Sequence, residues 1–132
     1  MASRVLVFGT FDGFHPGHAF VLDEAAKRGE AHVVVARDAN VERIKGRSPR
    51  QTEDVRRKAV QEAFPQAHVV LGDPVDFLKP VREIQPDLIL LGYDQRLPPG
   101  VKDDDLPCAV ERLPAHHPEK YKSSLMMGKM KQ

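Results

Sequence analysis

Two histidines three residues apart, in Gly9-Thr-Phe-Asp-Gly-Phe-His-Pro-Gly-His18, carry the densest chemistry in this sequence. A glycine-containing turn leaves an apolar run and enters what reads as a helix beginning at Pro16. A helix start exposes backbone N–H groups without intrahelical partners, together with the positive end of the peptide dipoles, and that combination binds phosphate. His15 falls at the cap position and His18 three residues on, so both imidazoles can reach one anion. Imidazole donors beside a phosphate offset charge that develops as the group reacts. Gly17 leaves room for a nucleotide to approach the backbone closely. Zinc at the histidine pair would need further ligands, which no nearby pattern supplies.

Cationic residues follow. Between Glu42 and Lys58 there are seven basic positions (43, 45, 47, 50, 56, 57, 58) against three acidic ones. Arg57 and Lys58 read as solvated surface. Lys45, read as lying in a glycine-proline loop, can swing over a pocket as a clamp. Arg56, at the start of a helix, can meet a second phosphate. Asp94 follows an apolar strand and suits a ribose or base contact, or simply a turn. Ser123 and Ser124 open a short terminal helix, either as an N-cap or as a second anion site. His32 and His68 lie at strand starts without an evident partner and read as structural. His116 and His117 fall in a loop, Cys108 in a strand-like run as a small core residue, and Met126, Met127 and Met130 on a packing or partner face.

The elements that must position these groups can be read from periodicity and end signals. Arg4–Phe8 predicts a buried first strand. Pro16–Arg28 predicts a helix with His18, Leu22 and Ala25 on one face, Pro16 at its first position and Lys27, Arg28 and Gly29 at its end. Strands are expected at Ala31–Ala36, His68–Leu71, Asp87–Leu91 and Pro107–Leu113. A helix from the Thr52 cap to Phe64 is expected to turn Val55, Ala59 and Ala63 inward, and another covers the region Val75–Ile84. Near-continuously apolar strands alternating with helices mean a parallel sheet covered on both faces. The expected fold is therefore a single-domain, Rossmann-like, doubly wound α/β sheet of about five strands. Such sheets bind ligands beyond the carboxyl ends of their strands, where the 9–15, Arg37-Asp38 and 92–95 clusters all fall.

The chain resembles the HxGH nucleotidyltransferase superfamily, whose cytidylyltransferase branch shares the GTFDxxHxGH pattern seen at Gly9–His18. Val35-Ala-Arg-Asp38, Ile44-Lys-Gly-Arg-Ser-Pro49, Leu91-Gly-Tyr-Asp-Gln95 and Tyr121-Lys-Ser-Ser124 are similar to archaeal-type FAD synthetases. Glycerol-3-phosphate cytidylyltransferases share the first motif, but their late Arg-Thr-Glu-Gly-Ile-Ser-Thr signature is replaced here by Pro118-Glu-Lys-Tyr-Lys-Ser-Ser124. The resemblance implies transfer of a nucleoside monophosphate from ATP or CTP to a small phosphorylated acceptor, with release of pyrophosphate and Mg2+ accompanying the NTP. It puts Gly9, Thr10, Phe11, Asp12, His15, Gly17, His18, Gly92, Asp94, Tyr121, Ser123 and Ser124 at the nucleotide. His15, His18 and Lys45 become the catalytic groups, and Lys45 and Arg56 the contacts to acceptor phosphate. A homodimer is also implied. The acceptor stays open between FMN, glycerol 3-phosphate and other phosphorylated compounds. A helix is expected by analogy within 95–107, although Pro98, Pro99 and Gly100 argue against one.

Composition bounds the alternatives. With 132 residues, 41% hydrophobic and 30% charged, the chain can bury one core. A net charge of +1 gives no global attraction to nucleic acid or membrane, and no apolar run approaches a bilayer span. One cysteine excludes an internal disulfide framework and fits a reducing cytoplasm. Two other functions share these features: a nucleotide-binding sensor without turnover, and an RNA-binding module using the 43–58 basic segment. Pyrophosphate release separates the first from an enzyme, and strong salt dependence of RNA binding would mark the second.

Overall fold

The computed structural model describes residues 3–92, 95, 97 and 101–114. Its strands are β1 (Arg4–Gly9), β2 (Glu30–Val35), β3 (His68–Leu71), β4 (Leu88–Leu91) and β5 (Ala109–Arg112). Its helices are α1 (Pro16–Arg28), α2 (Asp38–Lys45), α3 (Glu53–Ala63) and α4 (Lys79–Ile84). The strands form one sheet in the order β3-β2-β1-β4-β5, and every pairing is parallel. This is the doubly wound α/β arrangement that the apolar strands demanded. No helix among the described residues is long and apolar enough to cross a membrane.

Alternation along each strand separates the core into two halves. Val5 and Val7 of β1, Val33 and Val35 of β2 and Leu90 of β4 face Leu22 and Ala25 of α1 and Val60 of α3. Leu6, Val34, Ile89 and Leu91 point to the other face, against Val81 of α4 and Leu106. Side chains two apart share a face of a strand, so this split is what a sheet buried on both sides requires. After β1 the chain moves to β2 and β3 on one flank, then returns to place β4 on the other. The carboxyl ends of β1 and β4 thus flank the point where strand order reverses, and loops part there to leave a crevice.

Four parts of the chain depart from expectation. The segment after β2 is helical, with Lys45 as its last residue rather than part of a loop. Its first free amide, at Asp38, donates to Glu53 Oε1 at 2.8 Å, a cap supplied from fifteen residues away. Only Val41 of this helix is buried, so neither a local cap nor an apolar stripe announces it. In α3 the inward face is not Val55, Ala59 and Ala63. Val55 and Ala63 are exposed, and the buried residues are Arg56 and Val60. Helix α4 starts later than the region Val75–Ile84 implies, because Asp73 Oδ2 accepts from the amides of Val75 (2.9 Å) and Asp76 (2.6 Å) and holds a turn there. In the described part of 95–107, a single 3-10 turn at Asp103–Asp105 stands in place of the helix expected by analogy.

Candidate active site

An open cavity of about 1360 Å³ lies across the carboxyl ends of β1, β2 and β4. The β1–α1 turn forms one wall and depends on unusual backbone. Phe11 is buried and holds a left-handed conformation at φ 55°, and Gly13 follows at 73°. A non-glycine residue there is strained, and packing must hold it. The Phe11 ring folds back over Gly9, where a Cβ would come within 2.6 Å of ring carbon Cε2. Gly9 is therefore the only residue type that admits this turn without movement of Phe11.

The turn delivers both histidines to the start of α1. Gly17 donates its amide to His15 Nδ1 at 3.1 Å, and His15 donates its amide to His18 Nδ1 at 3.2 Å. Each Nδ1 is an acceptor and so carries no hydrogen, which puts the proton of each neutral ring on Nε2. The rings stack, with centroids 3.7 Å apart. Burial pushes His18 down to about 4, helped by the neighbouring His15 and Lys45 charges. Burial lowers His15 as well. Near neutral pH the site presents two uncharged imidazoles with fixed tautomers, poised to donate through Nε2.

Lys45 reaches the same place from the end of α2, its Nζ 3.3 Å from Thr10 Oγ1. Gly46 then turns the chain away at φ 77°. Gly9, Thr10, Phe11, Asp12, His15, Gly17, His18, Lys45 and Gly92 all line the cavity. Asp94, Tyr121, Ser123 and Ser124 lie outside the described residues, as do His116, His117 and the terminal methionines.

Arg56 is not presented to the cavity. Its side chain is fully buried, and it donates Nε to Gln51 O (3.0 Å), Nη1 to Thr10 O (2.8 Å) and Nη2 to Asp38 Oδ1 (2.6 Å). The expected phosphate contact is corrected to a structural tie between the β1–α1 turn, the start of α2 and the residues before α3. Asp12 makes a second tie: its carboxylate accepts from the amides of Arg50 (2.8 Å) and Gln51 (2.9 Å). The Arg50 amide accordingly holds the Asp12 carboxyl below the usual range. Gln95 makes a third, taking the Gly92 amide at 3.1 Å and giving Nε2 to Phe8 O at 2.8 Å.

Reading by type and spacing missed part of the lining. Arg43, Arg47 and Arg50 join Lys45 on the wall, within the basic run already noted. Phe77, Val75, Leu97 and Val101 form an apolar stretch, and Phe77 stacks on Phe8 with centroids 4.5 Å apart. Phe8 belongs to the α4 face of the sheet, whereas Phe11 belongs to the α1 face. The cavity is polar and cationic toward α1 and α2, and apolar toward α4. Cys108 is half-buried, and burial pushes its thiol up, which leaves it protonated.

Fold and turn together define a class, and comparison with known proteins agrees. The chain belongs to the cytidylyltransferase-like family, whose model matches residues 6–123. It is accordingly a nucleotidyltransferase, as the glycine–histidine turn led us to expect. It is similar to an FAD synthase of Methanospirillum hungatei, 42% identical over 92% of this chain and 80% of that protein. An FAD synthase of Aciduliprofundum boonei is 49% identical over 70% of this chain and 62% of its own length. A third, from Methanolacinia petrolearia, is 39% identical over 92% of this chain and 84% of its own. Among solved structures, the lipopolysaccharide core biosynthesis protein of Thermoplasma volcanium superposes with a TM-score of 0.74. It is 33% identical and covers 86% of this chain and 98% of its own.

Proposed function

We propose that this chain is an FMN adenylyltransferase that joins AMP from ATP to FMN, forming FAD and releasing pyrophosphate. One observation carries the choice of acceptor. A single cavity combines a cationic, hydrogen-bond-donating wall at His15, His18 and Lys45 with an apolar, aromatic wall at Phe8 and Phe77. A flavin ring needs a stacking surface, and glycerol 3-phosphate has nothing to place there. The FAD synthases named above support the same reading.

In this reading an FMN phosphate oxygen attacks the α-phosphorus of ATP in line. The bond from that phosphorus to the β-phosphate bridging oxygen breaks, and the electron pair leaves with pyrophosphate. No covalent enzyme intermediate is needed, so the protein contributes position and charge. The Nε2–H groups of His15 and His18 donate to the triphosphate, and the Lys45 ammonium offsets charge gathering on the leaving oxygens. Asp94, Tyr121, Ser123 and Ser124 complete the proposed nucleotide site on the strength of the resemblance. Mg2+ arrives with the nucleotide. The two carboxylates on the cavity wall, Asp12 and Asp73, both accept backbone amides. The described chain therefore provides no cage of free carboxylates, which suits an ion held mainly by phosphates. Bound there, Mg2+ would neutralise triphosphate charge.

The whole chain, 1–132, works in this proposal as one unit in the reducing cytoplasm, with Cys108 idle. Substituting Phe77→Ala tests the aromatic wall. We expect the KM for FMN to rise about tenfold, the loss of roughly 1.4 kcal/mol of stacking contact, with the KM for ATP unchanged. Equal effects on both substrates, or none on FMN, would remove the flavin from that wall.

A further inference from the structure

Glu30, His32 and His68 converge at the amino ends of β2 and β3, the sheet edge opposite to the cavity. Glu30 and His32 are two residues apart in β2 and so share a face. His32 is the register partner of His68 on β3, which places the second imidazole beside the first. The rings stack with centroids 4.6 Å apart and planes 14° apart. The Glu30 carboxylate serves both: Oε1 lies 2.7 Å from His32 Nε2, and Oε2 lies 3.8 Å from His68 Nε2. The two histidines read from sequence as partnerless thus share a partner. A hydrogen-bonded Glu30–His32 pair explains one of these contacts, but it leaves His68 stacked on His32 and beyond hydrogen-bonding distance of the carboxylate.

We infer that these three residues bind a divalent transition-metal ion, Zn2+ in the first instance. Their donor atoms all lie within 4.8 Å of one another. A tetrahedral ion with bonds of about 2.1 Å holds its ligands about 3.4 Å apart. The observed separations of 2.7 and 3.8 Å straddle that spacing. Small rotations of Glu30 and His68, whose side chains are 43% and 57% exposed, bring the donors to it. Two imidazoles and a carboxylate suit an ion of borderline softness rather than Mg2+ or Ca2+, and three protein ligands leave a position for water. Arg4, the register partner of Glu30 on β1, donates its Nη1 to Ile84 O at 2.8 Å. The ion would clamp edge strand β3 to β2 and stabilise the fold, because it binds only where the sheet has formed.

Calorimetric titration of ZnCl2 into the chelator-stripped full chain tests this, with melting temperature as a second readout. We expect one ion per chain and a higher melting temperature. Affinity should fall at least tenfold in His68→Ala, His32→Ala and Glu30→Gln, with circular dichroism showing each folded. Because His68 is exposed, His68→Gln provides a variant that keeps the fold. Binding should persist in His15→Ala, His18→Ala and the double variant His116→Ala, His117→Ala, which together cover the remaining histidines. Absence of uptake at submillimolar Zn2+ would overturn the inference. So would binding that survives His68→Ala and His68→Gln, or binding that any of the other histidine variants abolishes.

Discussion

Protonating His18 at Nδ1 removes the acceptor of the His15 amide, so the charge of one ring is tied to the shape of the β1–α1 turn. An unfolded histidine takes its proton near pH 6.5, whereas folded His18 does so at about 4. Between those values the unfolded chain binds more protons, so stability falls as pH is lowered through that window. His15, lowered in the same direction, adds to the effect. We predict that the urea midpoint of the native protein drops between pH 7 and pH 4.5, and drops less in His18→Asn, which still accepts a hydrogen bond but does not titrate. Equal drops in the two proteins would contradict the depressed His18. The proposed catalytic role makes a separate prediction. His18→Ala should fold at pH 7 yet lose on the order of 10²–10³ in kcat, the usual cost of removing one preorganised donor. Near-native turnover at saturating substrates would reject the assignment.

Helix α1 and strand β3 occupy the residues expected of them, because their signals are local: a proline at the first helical turn, cations before Gly29, and apolar residues bounded by turns. Helix α2 was not legible, since its cap comes from Glu53 and its buried face is one valine. Arg56 was misread for a related reason. Spacing places it beside the pocket loops, but two of its three acceptors, Thr10 and Asp38, are 46 and 18 positions away. Only the fold reveals that it is sealed between them. Arg56→Leu should cost about 3 kcal/mol, since it leaves a carboxylate and two carbonyls without their donor. Arg56→Lys should recover little, because an ammonium cannot span three acceptors set around a planar fork. Urea denaturation measures both, and a loss below about 1 kcal/mol would show that the tie is dispensable. The convergence of Glu30, His32 and His68 was hidden in the same way, since strand register sets it and a single sequence does not print register.

At the scale of the molecule, the parallel sheet brings turns from distant parts of the chain to one edge, and the order β3-β2-β1-β4-β5 opens a crevice between β1 and β4. That edge was foreseeable from apolar strands alternating with helices. The two-sided character of the cavity was not, because Phe8 and Phe77 meet only once β1 and the turn before α4 are in place. We also propose a homodimer, with edge strand β3 and exposed Val70 as its starting point; sedimentation of a 14.8 kDa species alone would contradict it. The central claim concerns the transferred group and its acceptor. Purified protein incubated with Mg2+, ATP or CTP, and either FMN or glycerol 3-phosphate, with products separated by chromatography and pyrophosphate assayed, tests it most directly. We predict FAD from ATP and FMN with one pyrophosphate per product, and little turnover of glycerol 3-phosphate. CDP-glycerol as the only product, or no pyrophosphate with any pair, would contradict the account.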